Sequence, residues 1–527
     1  MSLSPLFVSL QLRAPGSCAC TSLSADLLSG LTGPGAALYN EAERPARRGR
    51  SDRVGPVCLS SSGVEAMAFS NLIFLFFFLP AVILVTKLSP RRWRNVELLL
   101  FSLLFYAWGE PVYVLLMLAA IAVNYLAGLL IDRFPAQTRP GARKAALILA
   151  LALDLGVLGY FKYAGFFLRS LSALTGRGIA IPQIALPIGI SFYIFQSMSY
   201  TIDVYRAQVE PQRDPLRFGT YVSLFPQLIA GPIVRYRDIA EQLTEREESL
   251  SLFSEGTVRF LYGLAKKVLV ADQMGALADG LLQTRGGTLS AWVGMAAYTL
   301  QIYFDFSGYS DMAIGLGRMF GFRFRENFDY PYVSRSITEF WKRWHISLSS
   351  WFREYVYIPL GGNRKGLARQ CLNLLIVWML TGLWHGAAVN FVLWGLYYAL
   401  LLILEKLFLG KLLEKLPGLL RGALTMLVVA FGWSLFYYTD MGLFGDFVQR
   451  LFSGVPDSAQ RLRQIVAYVP IGLVGCVAAT PLPRRALEKL RKGKLAFLEV
   501  PLLACLFLLC VAALVTQSYD PFIYFRF

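Results

Sequence analysis

The chain has 527 residues, 56% hydrophobic and only 16% charged, with a mean hydropathy of +0.50. Soluble domains carry about 25% charged residues, so a set of water-soluble cores is excluded, as are disorder, collagen-like fibres and a small disulfide scaffold. The net charge of +17 comes from 51 basic and 34 acidic residues, but the basic ones stand in short clusters between apolar runs (Arg91, Arg92 and Arg94; Arg139, Arg143 and Lys144), the pattern of span ends facing anionic lipid rather than of nucleic-acid binding.

Residues 1–66 hold no apolar run long enough to span a bilayer or to serve as a signal peptide. The composition changes abruptly at Met67, and the expectation is that 1–66 is a non-native or disordered extension before a single membrane domain, 67–527. Long unbroken apolar runs follow, and in lipid only helices and closed barrels satisfy every backbone group. The fold expected is therefore all-α and polytopic. Candidate helices lie near 71–87, 95–108, 111–131 and 145–168, with a tight hairpin at Gly109-Glu110-Pro111. Others lie near 184–204, 217–234, 255–275 and 290–316. The apolar stretch from Cys371 to Leu404 is too long for one bilayer crossing at 1.5 Å per residue, and Gly382 and Gly386 stand where a break would fall. Candidates near 419–438, 463–481 and 496–517 bring the total to eleven or twelve, with no transporter-type internal repeat. Pro187, Gly189, Pro226, Gly231 and Pro232 interrupt apolar segments, as in broken helices that line a cavity.

Between 318 and 369 the chain turns aromatic and basic. A helix from Ile337 to Tyr355 would align Ile337, Phe340, Trp341, Trp344 and Leu348 on one face, suited to the bilayer interface or to a re-entrant position. Glu339 and Arg343 fall at ion-pair spacing within it.

The whole chain has two histidines, His345 and His385. Three-histidine zinc sites and HExxH are thereby impossible, and neither a GxSxG elbow, a Walker loop nor a GxGxxG ahead of a helix is present. The seven cysteines form no CxxC pair and no zinc spacing, so no bound metal or cofactor is expected. His385 lies deep in the apolar stretch LTGLWHGAAVNFVLWG, where a polar side chain is costly and usually serves a cavity or a partner. Imidazole there is a natural general base toward a hydroxyl, although a structural histidine bonded to a neighbouring helix is equally compatible with the residue chemistry. His345, beside Arg343 and Trp344, reads on its own as structural or interfacial. In YTLQIYFDFSGYSDMAIGLGRMFGF, Asp311 and Arg318 are seven apart and share a face suited to pairing, while Asp305 points elsewhere.

The strings YFDFSGYSDMAIGLGRMFGF, SITEFWKRWHISLSSWFREYVYIPLGGNR, LTGLWHG and SYDPFIYFRF together resemble the membrane-bound O-acyltransferase family, in particular its bacterial branch typified by alginate O-acetyltransferase membrane subunits. The resemblance implies a ring of helices around a thin centre, with a tunnel reaching the reaction point from both membrane faces. It implies that His385 is catalytic, with His345 as a second catalytic residue on a re-entrant element assisting positioning or the oxyanion. Asp305, Ser310, Asp311, Arg343, Trp344, Trp384 and Asn390 become candidates for the substrate tunnel. It further implies a cytoplasmic thioester donor, acetyl-CoA or an acyl carrier, an exported polysaccharide as acceptor, an extracytoplasmic SGNH-type acyltransferase partner, and the bacterial cytoplasmic membrane as location. Val389 stands where the family often has Trp, which leaves one tunnel-wall contact open. D-alanyl transfer to teichoic acid, or transport of a polymer or lipid without chemistry, are the alternative expectations.

Overall fold

The computed structural model describes residues 67–284, 286–493, 495–516 and Phe522; the expectation for residues 1–66 lies outside them. Every regular element among the described residues is helical. The first named elements among the described residues are a π-helical turn, Phe74–Phe78, running into α1 (Leu79–Leu88), then α2 (Arg94–Gly109) and α3 (Tyr113–Arg133). Next, α4 (Pro140–Leu158) passes through a second π turn, Gly159–Tyr163, into α5 (Ala164–Thr175). After α6 (Ile190–Tyr205) and α7 (Pro215–Ser223) the chain is broken as the prolines and glycines at 226–232 require, with one helical turn at Phe225–Leu228.

A long central hairpin follows. Its first arm is α8 (Leu250–Ala265), a π turn at Lys266–Ala271 and α9 (Asp272–Leu282); its second is α10 (Thr288–Met319). With 32 residues, α10 is about 48 Å long and is buried along nearly its whole length. The intervening segment forms two short helices, α11 (Ile337–Arg343) and α12 (Ile346–Phe352). The membrane arm then resumes with α13 (Gly366–His385), α14 (Val389–Leu404), α15 (Gly418–Tyr437), the amphipathic α16 (Met441–Phe452), α17 (Ala459–Ala478), the basic α18 (Leu482–Lys492) and α19 (Glu499–Thr516).

Seven helices among the described residues are long and apolar enough to cross a bilayer: 113–133, 140–175, 366–385, 389–413, 418–437, 459–478 and 496–516. The apolar runs near 184–204, 217–234, 255–275 and 290–316 are helical too, at least in part; α6, α10 and most of 217–234 are buried within the protein, whereas α8 buries only five of its sixteen residues. In α6, 14 of 16 residues are buried. A helix surrounded by protein can carry Ser, Thr, Gln, Asp and Tyr along its length, because its partners supply the hydrogen bonds that lipid cannot.

Two expectations need correction. The single helix expected over Ile337–Tyr355 is broken at Trp344–His345, where His345 adopts φ 46°, ψ 54°. Its apolar face is as expected, since Ile337, Phe340, Trp341, Trp344 and Leu348 are all buried, but it is covered by protein. Trp341 packs against Trp378, Trp394 and Tyr398, and Trp344 against Trp433. The Glu339–Arg343 pair forms at 2.9 Å. The second correction concerns Asp311, which pairs with Arg259 and Lys266, both at 2.6 Å, while Arg318 turns to Glu255. Asp305 joins Lys267, which also holds Asp272. The π turn at Lys266–Ala271 brings both consecutive lysines against α10, so the buried acids are neutralised by the other arm of the hairpin rather than within their own helix.

Candidate active site

The long apolar stretch breaks where its glycines suggested, immediately after His385. There α13 ends and three residues return the chain into α14. The two helices cross closely: a Cβ on Gly395 would stand 2.5 Å from the Trp378 carbonyl oxygen, and one on Gly382 would run into the Phe391 carbonyl. This contact fixes the end of α13, and with it His385, which is 6% exposed. Its imidazole meets Trp384, Trp394 and Phe436 edge to face, with ring centroids 5.0, 5.1 and 5.2 Å away.

A helix end leaves carbonyls without intrahelical partners. Here Tyr163 donates its hydroxyl to the Leu383 carbonyl at 2.8 Å, and the Lys162 ammonium donates to the Trp384 carbonyl. Both come from the π turn between α4 and α5. A cation at a helix C-terminus is also favoured by the helix dipole. Lys162 was not singled out from the sequence; a lysine inside an otherwise apolar span was the available signal.

His345 approaches from the other side. It is 2% exposed, its ring lies 4.6 Å from Phe306 of α10 and 5.9 Å from Trp384. Trp384 therefore touches both imidazoles, and His345 also lies within electrostatic reach of His385. The left-handed backbone at His345 costs on the order of 1–3 kcal/mol for a non-glycine residue, and such strain gathers at functional sites. Asn327 anchors it: its backbone carbonyl accepts from the Ile346 N–H at 3.0 Å, and its side-chain oxygen lies 3.1 Å from His345 Nδ1. Asn327 is a second residue that the sequence did not reveal.

The remaining candidates divide. Trp384 belongs to the site, and its buried indole N–H has no hydrogen-bond partner among the described residues. Trp344 lines the same aromatic cluster through Trp433. Asn390 is fully buried and donates to the Phe436 carbonyl at 3.2 Å, next to the ring that faces His385. Ser310 is buried in α10. Asp305 and Asp311 sit in the ion pairs of the central hairpin, and Arg343 in its pair with Glu339. Val389 is half exposed at the start of α14.

Two clefts lie at opposite ends of α14, about 24 Å apart along its 16 residues. One, of about 310 Å³, is lined by Lys162, Arg169, Gln183, Gly386 and Ala387, beside His385. The other, of about 570 Å³, is lined by Arg335, Arg343, Arg421, Glu339, Glu405 and Glu414. Among the described residues no three His, Cys, Asp or Glu side chains gather as metal ligands would. What the site offers is two imidazole bases, a buried N–H donor and an apolar aromatic wall, a set suited to moving a proton off a hydroxyl and stabilising an oxyanion.

Residues 159–439 match the profile of the membrane-bound O-acyltransferase family. The probable alginate O-acetylase AlgI of Pseudomonas putida is 41% identical over 490 residues, covering 88% of this chain and 100% of its own. The peptidoglycan O-acetyltransferase of Helicobacter pylori is 34% identical over 415 residues, 71% of this chain and 77% of its own. The teichoic acid D-alanyltransferase of Bacillus subtilis is 28% identical over 268 residues, 47% of this chain and 68% of its own.

Proposed function

Because this chain belongs to the membrane-bound O-acyltransferase family and is a multi-pass membrane O-acyltransferase, we propose that it passes an acetyl group from a cytoplasmic thioester, acetyl-CoA or an acyl carrier, to an acceptor hydroxyl at His385 and His345. The acetyl group is destined for an exported polysaccharide of the alginate type, and the membrane is the bacterial cytoplasmic membrane. The observation that supports this reading most is that the only two histidines in the chain, distant in sequence, meet across the single indole of Trp384.

In this reaction the imidazoles orient the acceptor hydroxyl and take up its proton as the oxygen attacks the thioester carbonyl. The carbonyl electron pair moves onto oxygen, where the Trp384 N–H is available as a donor. Collapse of the tetrahedral intermediate breaks the C–S bond, and the thiolate recovers the proton. No covalent enzyme intermediate is needed. The cleft beside His385 is the acceptor's entrance and the arginine-lined cleft at the far end of α14 the donor's; an extracytoplasmic SGNH-type acyltransferase then serves as the partner that carries acetyl to the polymer. The D-alanyltransferase relatives, by comparison, are 28% identical over less than half of this chain.

The test is the O-acetyl content of the surface glycan in a strain lacking the gene, complemented with wild type or His385→Ala at equal membrane level. Wild type restores the ester and the variant does not. Restoration by both would overturn the catalytic assignment, and a loss of D-alanine ester rather than acetyl ester in the deletion strain would favour the other acyl group.

A further inference from the structure

The hydrogen bonds around His345 determine which of its two nitrogens carries the proton. Asn327 Oδ1 is the shared acceptor of this corner: the Ser347 backbone N–H donates to it at 3.2 Å and the Ser347 hydroxyl at 2.9 Å. The backbone N–H can only donate, so the atom it meets is the amide oxygen and not the amide nitrogen. The Ser347 hydroxyl in turn accepts from the Ile233 N–H at 3.1 Å, and its own hydrogen goes to Asn327 at 2.9 Å rather than to His345 Nδ1, which lies farther off at 3.4 Å. His345 Nδ1 lies 3.1 Å from the same oxygen. Two facing lone pairs at that distance would repel, so Nδ1 bears the hydrogen and donates. In a neutral imidazole the other nitrogen, Nε2, is then a bare lone pair. It is buried and has no hydrogen-bond partner among the described residues.

Asn327 itself is spent asymmetrically. Its oxygen takes three hydrogen bonds, whereas its Nδ2 is buried without a partner among the described residues. An asparagine serving stability alone would satisfy both ends, because an unmet buried donor is costly. The left-handed backbone at His345 points the same way, since it is held by the bond from Ile346 N–H to the Asn327 carbonyl.

We infer that Asn327 is a positioning residue for the acyl transfer: it locks His345 in the Nδ1–H tautomer and thereby presents Nε2 as the proton acceptor for the attacking hydroxyl. A neutral imidazole in this tautomer has no hydrogen to give to an oxyanion at Nε2, so the oxyanion role expected for His345 passes to another donor. The acceptor O–H bond breaks, its proton goes to Nε2 and its electron pair forms the C–O bond. When the C–S bond later breaks, the departing thiolate takes the proton back from Nε2. The assignment of the step rests on the acyltransferase reading above; the tautomer does not.

With only two histidines in the chain, the tautomer can be read directly. Full-length protein labelled with ¹⁵N-histidine, purified through a tag without histidine and reconstituted in bilayers, gives two imidazoles by solid-state NMR, and His345→Gln identifies which is which. The expected spectrum shows His345 with a protonated Nδ1 and an unprotonated Nε2. Asn327→Ala should convert it to a mixture or to the other tautomer, and Asn327→Asp, which keeps the acceptor, should retain the Nδ1–H. In parallel, glycan O-acetyl content should fall at least about tenfold in Asn327→Ala at equal membrane level and recover in part in Asn327→Asp. A wild-type His345 carrying its proton on Nε2 overturns the inference, as does full acetylation by Asn327→Ala. If the tautomer is as stated but His385→Ala still acetylates, the functional reading fails and the tautomer assignment stands.

Discussion

Lys162 holds the carbonyl of Trp384, the residue immediately before His385, so a cation from the π turn between α4 and α5 closes the end of the helix that carries His385. The same ammonium lies 5.8 Å from the centre of the Trp384 ring and 3.4 Å from the Ser191 hydroxyl. It ties α13 to α6 and to the α4–α5 arm at the one place where the position of His385 is decided.

Replacing Lys162 by Met keeps the apolar stem and removes the donor, leaving a buried carbonyl unmet at a cost of about 1–3 kcal/mol. The expected outcome is a protein that still inserts but acetylates at least about tenfold more slowly, since sub-ångström misplacement at a reaction centre is expensive. Ester content per polymer, normalised to protein in the membrane, measures this. Undiminished acetylation would show that the bond to Trp384 is dispensable.

Trp384→Phe retains a flat ring between the two imidazoles but removes the indole N–H together with part of the bicyclic ring, which is buried. If that N–H meets the oxyanion, the rate of transfer should fall by about 10²–10³, well beyond what the modest loss of thermal stability from the smaller ring accounts for. Equal losses of stability and rate would instead assign the residue to packing.

The crossing of α13 and α14 depends on Gly395, whose added Cβ would stand against the Trp378 carbonyl. Gly395→Ala should force the helices apart, cost about 1–3 kcal/mol and lower both the unfolding temperature in detergent and the activity. Gly156→Ala, inside α4 where a Cβ meets nothing within 4 Å, is the control and should lower neither, since Ala is the better helix former.

Asp457, in the loop between α16 and α17, caps the start of α10 by accepting from the Gly287 and Ser290 backbone N–H groups at 2.8 and 2.9 Å and from the Ser290 hydroxyl. Burial pushes its carboxyl up, but these hydrogen bonds and the charge of Arg461 outweigh it and hold the group below the usual carboxylate range. A folded-state value below the unfolded one means a stability contribution that is present above about pH 4 and disappears as the pH falls through the lower folded value. Asp457→Ala should therefore cost about 0.5–2 kcal/mol at neutral pH, with the gap to wild type closing under acid. Thermal unfolding of both proteins from pH 7 down to pH 3 checks it; a gap that persists in acid would refute the cap.

The sequence alone determined that this is a helical membrane protein, because apolar run length is a local property and lipid admits few alternatives. It also marked His385, since a single imidazole in an apolar run is conspicuous without any knowledge of its neighbours, and it named Gly382 and Gly386 as the places where the run would break. His345 drew its role only from family resemblance, for its own surroundings read as interfacial. Tertiary structure decided the rest. Asp311 is seven residues from Arg318 and could have paired with it, yet the hairpin brings Arg259 and Lys266 closer. The meeting of His345 and His385 across Trp384, the Lys162 bond and the Asn327 anchor all join residues far apart in the chain. Such contacts follow from which helix faces pack together, and periodicity within one helix carries no information about the partner across the interface.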